Sequence, residues 1–127
     1  MVGLPVRVLI VDDQPEFREL ARQVLHSRGY TVVGEAGCSD SAIEAAQRLD
    51  PDAVLLDVRL GDDSGFEVAW ALGRVCPEAA VLLVSNQDYG HCRDRLRFCG
   101  ARGFLLKSRL AGVALREYWP DPDDADR

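Results

Sequence analysis

No stretch of this chain is apolar for long enough to cross a bilayer. Its apolar runs are short, as in Val8–Val11 and Val81–Val84, against the roughly 20 residues a spanning helix needs. The N-terminus lacks a basic segment followed by an apolar one, so no secretory signal is read there. A cytoplasmic location with no membrane partner is the expectation. Cysteine is present but in no useful grouping: Cys38, Cys76, Cys92 and Cys99 form no CxxC pair and no metal-like spacing. They read as small core or boundary residues rather than disulfides or metal ligands. Positive charge is in deficit, with 15 Lys and Arg against 21 Asp and Glu and a net charge of −6. That balance argues against direct nucleic-acid binding by the whole domain, while leaving room for a local basic face.

What is there fits one globular domain. The 127 residues are 47% hydrophobic and 28% charged, enough apolar material for an ordinary core. Strand-like and helix-like hydrophobic periods alternate along the chain. Strands are expected at Val6–Val11, Tyr30–Ala36, Ala53–Asp57, Ala80–Val84 and Gly103–Leu106. Three of them are continuous Val/Leu/Ile runs, the mark of parallel strands covered on both faces.

Amphipathic helices fill the intervals. The first places Phe17, Leu20, Ala21 and Val24 on one face and ends at Gly29. The second runs from Ser39 to Leu49, with Ile43, Ala46 and Leu49 inward, and stops before Pro51. The third, Ser64 to Val75, carries Phe66, Ala69 and Trp70. A fourth spans about Asp88 to Cys99 and a fifth about Leu110 to Tyr118. Right-handed crossovers then favour an α/β fold: a doubly wound, five-stranded parallel sheet, for which 2-1-3-4-5 is the common strand order. Residues 1–119 form the domain. Pro120 to Arg127 make an acidic, Pro-containing tail, read as disordered.

In an open α/β sheet, function collects beyond the carboxyl ends of the strands. Asp12 and Asp13 follow the first strand, Asp57 ends the third, Ser85 follows the fourth and Lys107 the fifth. Each has an ordinary explanation on its own. Asp13-x-x-Glu16, with Pro15 between, is a good helix cap. Ser85 suits a turn, and Lys107 a strand-end lysine whose stem lies on apolar surface. Asp57 is harder to dismiss, because it closes the apolar run Ala53-Val-Leu-Leu56, where an ionised carboxylate needs a cation or several donors. Clustered carboxylates suit Mg²⁺. A carboxylate beside that ion can attack a phosphoryl group, whose spread charge the Lys107 ammonium and Ser85 hydroxyl would offset.

At these residues the sequence closely resembles the receiver domains of two-component response regulators, which have a flavodoxin-like, CheY-like fold. The matching segments are Val8-Leu-Ile-Val-Asp-Asp13, Val54-Leu-Leu-Asp57, Ser64-Gly-Phe-Glu67, Val81-Leu-Leu-Val-Ser85 and Gly100-Ala-Arg-Gly-Phe-Leu-Leu-Lys107. Val33-Gly-Glu-Ala36 and the Phe-Leu-Leu-Lys-Ser run are similar to NarL/LuxR-type receivers in particular.

The resemblance implies Asp57 as phosphoacceptor, with a sensor histidine kinase or phosphotransfer protein as donor. It implies Mg²⁺ held by Asp13, by Asp12 through water, by Asp57 and by the backbone carbonyl of Arg59. Ser85 takes the place of the switch hydroxyl, Phe104 that of the switch aromatic, and Lys107 pairs with phosphoryl oxygens. The output surface is implied to be the face of helix four, strand five and helix five, binding a partner protein or a second copy. Catalysis is limited to the domain's own phosphorylation and dephosphorylation.

Three positions depart from the family pattern. Asn86 stands where a small residue usually follows the switch hydroxyl, and Ser108 replaces a frequent proline. Phe104 lacks the hydroxyl of a tyrosine, so switching rests on packing. Arg59 and Gln87 occupy positions that tune dephosphorylation in such domains.

Two other readings compete with this one. Haloacid-dehalogenase-like phosphatases carry an Asp-x-Asp nucleophile after the first strand, where this chain has Asp12-Asp13-Gln14. A degenerate receiver, working as a phosphorylation-independent protein–protein module, is opposed by the complete set of acids, Ser85 and Lys107. No helix-turn-helix follows the fifth helix, so the chain reads as a stand-alone regulator or an isolated receiver. Arg93, Arg95, Arg97, Arg102, Arg109 and Arg116 concentrate positive charge late in the chain, as a solvated face or as a docking face for an acidic partner.

Overall fold

The computed structural model of the chain describes residues 5–89 and 91–122. Five parallel strands form the central sheet: β1 Arg7–Val11, β2 Thr31–Ala36, β3 Ala53–Asp57, β4 Ala80–Ser85 and β5 Gly103–Leu106. Their order is β2-β1-β3-β4-β5, the expected doubly wound arrangement. β3 and β4 are buried at every residue, and neighbouring side chains on them leave toward opposite faces. Leu9, Val54, Leu56, Val81 and Leu83 join the core on the side of α2 (Ser39–Leu49) and α3 (Gly65–Val75). Val8, Ile10, Leu55, Leu82 and Val84 join the other core, with Phe17, Ala21 and Leu25 of α1 (Pro15–Ser27). Each such side chain removed from water contributes about 1.5–3 kcal/mol, so two-sided burial fixes the middle of the sheet most firmly.

Helix boundaries follow from local chemistry. Pro15 at the start of α1 has its φ preset for a helix and no N–H to leave unpaired. The capping arrangement expected of Asp13 and Glu16 is not formed: Gln14 is the cap residue, without a side-chain cap bond, and Asp13 is used elsewhere. Asp50, at φ 49°, ends α2 in the left-handed region just before Pro51. Ser64 caps α3, its Oγ accepting from the Phe66 N–H at 3.2 Å.

Four expectations need correction. Leu20 and Trp70 are about half exposed, at 52% and 54%, rather than inward. A short antiparallel hairpin, pairing Arg59 with Ser64 and Leu60 with Asp63, sits between β3 and α3. The fourth helix, α4, is only Arg93–Phe98, not Asp88–Cys99. Upstream of it the Tyr89 ring is drawn into edge contact with Phe66 and Phe104, at 5.9 and 6.1 Å between centroids.

The fifth helix is absent as an α-helix. In its place are two 3-10 segments, Lys107–Gly112 and Leu115–Glu117. Leu110, Leu115 and Trp119 are all buried there, and steps of five and four residues do not line up on one α-helical stripe. The Arg28 guanidinium donates to the carbonyls of Ala111 and Val113, pinning the irregular stretch. The Tyr118 ring lies against Gly103, where a Cβ would come within 2.5 Å of it. Of the tail expected from Pro120 onward, residues 121 and 122 are half-buried, and residues 123–127 lie outside the described residues.

Candidate functional site

Four of the sequence-identified polar groups are the buried polar residues among those described: Asp12, Asp57, Ser85 and Lys107, exposed by 8% or less. They come from the ends of β1, β3, β4 and β5, which the parallel sheet brings to a common edge. Lys107 lies at the centre. Its Nζ donates to Asp57 Oδ2 at 3.1 Å and to Gln14 Oε1 at 3.3 Å. It stands 2.7 Å from Asp12 Oδ2 as an ion pair, without the alignment of a hydrogen bond. The Phe17 ring supports it from below, 4.4 Å from the ammonium to the centroid. Acids and a ring face thus surround this enclosed side chain.

The carboxylates are oriented by backbone donors. Asp12 Oδ1 accepts from the Gln14 N–H at 2.8 Å, and Asp57 Oδ1 from the Arg59 N–H at 3.1 Å. Asp13, which is exposed, accepts on Oδ2 from the Gly61 N–H at 3.1 Å. Gly61 is the turn of the short hairpin, at φ +59°, a region that glycine enters without steric cost. Asp12, Asp13 and Asp57 each offer an oxygen, all within 4.8 Å of one another. Three carboxylates against one ammonium leave two negative charges when all are ionised. That donor set fits a hard divalent cation bound through oxygen.

Burial pushes the Asp57 carboxyl above the ordinary carboxylate range, and the Asp12 charge adds to the rise. The Arg59 N–H and the Lys107 ammonium pull the other way. A cavity of about 260 Å³ opens over this carboxyl, lined also by Asp13, Arg59, Ser85, Asn86, Gln87 and Lys107. Ser85 Oγ accepts from the Gln87 N–H at 3.1 Å, which leaves its own hydrogen free for a ligand in the cavity. Phe104 is half-buried outside this cavity, edge-on to Tyr89.

Three contributors escape a reading of the sequence alone. Gln14 bonds Lys107 by its carboxamide and Asp12 by its N–H. Gly61 reaches Asp13. Gly65 lets α3 begin against the end of β3: a Cβ there would stand 2.2 Å from the Asp57 carbonyl oxygen and 2.7 Å from Val58 Cα. Its position directly after a capping serine, at the head of an apolar helix, was the one signal available.

The model of the response regulator receiver domain matches residues 8–114. The chain is similar to the nitrate/nitrite response regulator protein NarP of Escherichia coli, 40% identical over 112 residues, which are 87% of this chain and 52% of that protein. It is similar to the response regulator GacA of Pseudomonas aeruginosa, 33% identical over 88% of this chain and 51% of GacA. Among solved structures, the signal receiver domain of the Mycobacterium tuberculosis response regulator NarL superposes with a TM-score of 0.75, at 36% identity over 90% of each chain. The chain spans about half the length of these curated relatives.

Proposed function

The chain belongs to the response regulator receiver family, and on that ground we propose that it is a Mg²⁺-dependent switch phosphorylated on Asp57. The observation that carries this reading is the buried Asp57 carboxylate, 3.1 Å from the Lys107 ammonium and clustered with Asp12 and Asp13 beneath an open cavity. The donor is a phosphohistidine of a sensor histidine kinase or phosphotransfer protein. As an Asp57 oxygen bonds to phosphorus, the phosphorus–nitrogen bond breaks and its electron pair returns to the imidazole.

Asp13 and Asp57, with the Arg59 carbonyl and Asp12 through water, would hold Mg²⁺, which supplies charge stabilisation for the transferring group. Lys107 exchanges its bond to Asp57 Oδ2 for one to a phosphoryl oxygen, and the Ser85 hydroxyl donates to another. Drawing Ser85 inward frees space that Phe104 follows, and Phe104 moves against Tyr89 and the flank formed by α4, β5 and the 3-10 segments. This is a local charge event biasing a two-state packing. That flank is the output surface, for a partner protein or a second copy. Nucleic acid and membrane are not direct partners, and the setting is cytoplasmic. Arg59, Asn86 and Gln87 line the cavity through which water must reach the phosphoryl group, so they set how long it lasts. The chemistry stays on the domain's own carboxylate, without turnover of a separate substrate.

Incubation with phosphoramidate and Mg²⁺, followed by intact-mass measurement, tests this reading. The wild type is expected to gain one phosphate, and Asp57→Asn or the wild type in EDTA none. No gain on the wild type would leave a phosphorylation-independent interaction module.

A further inference from the structure

Away from the acid pocket, one apolar surface stands out. Phe98 is 83% exposed and Trp70 54%, and they flank a groove between α3 and α4 of about 260 Å³, floored by Phe66 and Cys99. None of its lining residues lines the Asp57 cavity. Two guanidiniums lie on its aromatic rings: Arg74 is 4.9 Å from the Trp70 centroid and Arg95 4.3 Å from that of Phe66. Among the described residues neither forms a salt bridge. A guanidinium held against a ring and without a carboxylate partner is suited to receiving one.

The charged side chains at the groove are Glu67 and Arg95 in its lining and Arg74 on the Trp70 ring, an excess of one positive charge in a molecule of net charge −6. Trp and Arg are also among the residue types that dominate binding energy at interfaces, and Phe is enriched there. We propose that the α3–α4 groove docks an acidic, apolar segment of a partner protein. Large apolar side chains of that segment cover Trp70 and Phe98, and its carboxylates meet Arg74 and Arg95. A second copy is the rival occupant, and self-association is one of the outcomes the test reads. The proposal does not depend on phosphorylation of Asp57.

The test is selection of short random peptides displayed against the full chain, followed by titration of the enriched peptides. Acrylamide quenching reads the contact directly, since Trp70 is accessible and Trp119 is buried. Enriched peptides are expected to combine aromatic or leucine residues with Asp or Glu, and to shield tryptophan on binding. Trp70→Ala and Phe98→Ser should each weaken them about tenfold or more, with unchanged thermal midpoints. Arg95→Glu should weaken them too, and a peptide with Lys for Glu should recover binding to that variant alone. Three results would overturn the proposal: no enrichment over an unrelated bait, peptides indifferent to both aromatic substitutions, or wild-type self-association in sedimentation equilibrium that Phe98→Ser abolishes.

Discussion

At the end of β3, Asp57 sits among three other buried polar groups; it, Asp12 and Ser85 each accept from a backbone N–H, and Lys107 donates to Asp57. On the neighbouring flank, α4 has six residues and none is buried, and the chain after Lys107 is 3-10 rather than α-helical. Both regions border one sheet, yet they are held differently. The pocket inherits rigidity from strands covered on both faces, so its groups are positioned before any ligand arrives. The flank is held by a few anchors, the Arg28 bonds and the side chains of Leu110, Leu115 and Trp119. Segments with few buried contacts open at low free-energy cost, which is what a moving output surface requires.

The largest blow to the pocket should come from a methyl group. Gly65→Ala places a Cβ 2.2 Å from the Asp57 carbonyl oxygen, so α3 must retreat from β3 at a cost of about 3 kcal/mol. Gly73→Ala in the same helix meets nothing within 4 Å and should instead stabilise by roughly 0.5–1 kcal/mol. Urea unfolding of the pair separates close approach from simple helix propensity.

A smaller effect, of opposite sign to most core substitutions, is expected at Asp57. Its carboxyl is raised by burial, so the folded chain binds this proton more tightly than the unfolded chain does. The contribution makes metal-free stability fall as pH rises from the unfolded Asp value, about 3.9, through the raised folded value. Asp57→Asn should remove that slope and raise the metal-free midpoint at neutral pH by about 2–5 °C, the effect of about 1 kcal/mol on a domain of this size. Mg²⁺ should then stabilise the wild type more than the variant, as calorimetry with and without the ion would read.

The smallest change sharpens the other side. Arg28→Met frees the carbonyls of Ala111 and Val113, at a cost of about 1 kcal/mol. Amide exchange should quicken across residues 107–117 and stay unchanged in β3 and β4. Uniform quickening would mean that pocket and flank are one cooperative unit.

The same contrast governs what the sequence could disclose. Buried parallel strands announce themselves by unbroken Val/Leu/Ile runs, and the expected strands match the observed ones to within a residue at either end. The polar residues at their ends therefore fell into place, from Asp12 to Lys107. Tertiary contacts decided the rest. The fourth helix lost its first turn where Tyr89 turns toward Phe66 and Phe104. The fifth yielded to a spacing of Leu110, Leu115 and Trp119 that only an irregular path buries. Trp70 and Leu20 fit a helical stripe on paper and face outward, because nothing in a local pattern says how wide the covered stripe will be. Gln14 was invisible for another reason: its role exists only because Lys107, 93 positions later, returns to it.

The central claim, that Asp57 takes the phosphoryl group, is tested most directly by locating the label. Protein treated with phosphoramidate and Mg²⁺, then reduced with borohydride, converts an acyl-phosphate aspartate to homoserine that peptide mass spectrometry can place. Conversion at position 57 alone is the predicted result. Conversion at Asp12 or Asp13, or none at any aspartate of a labelled protein, would contradict it.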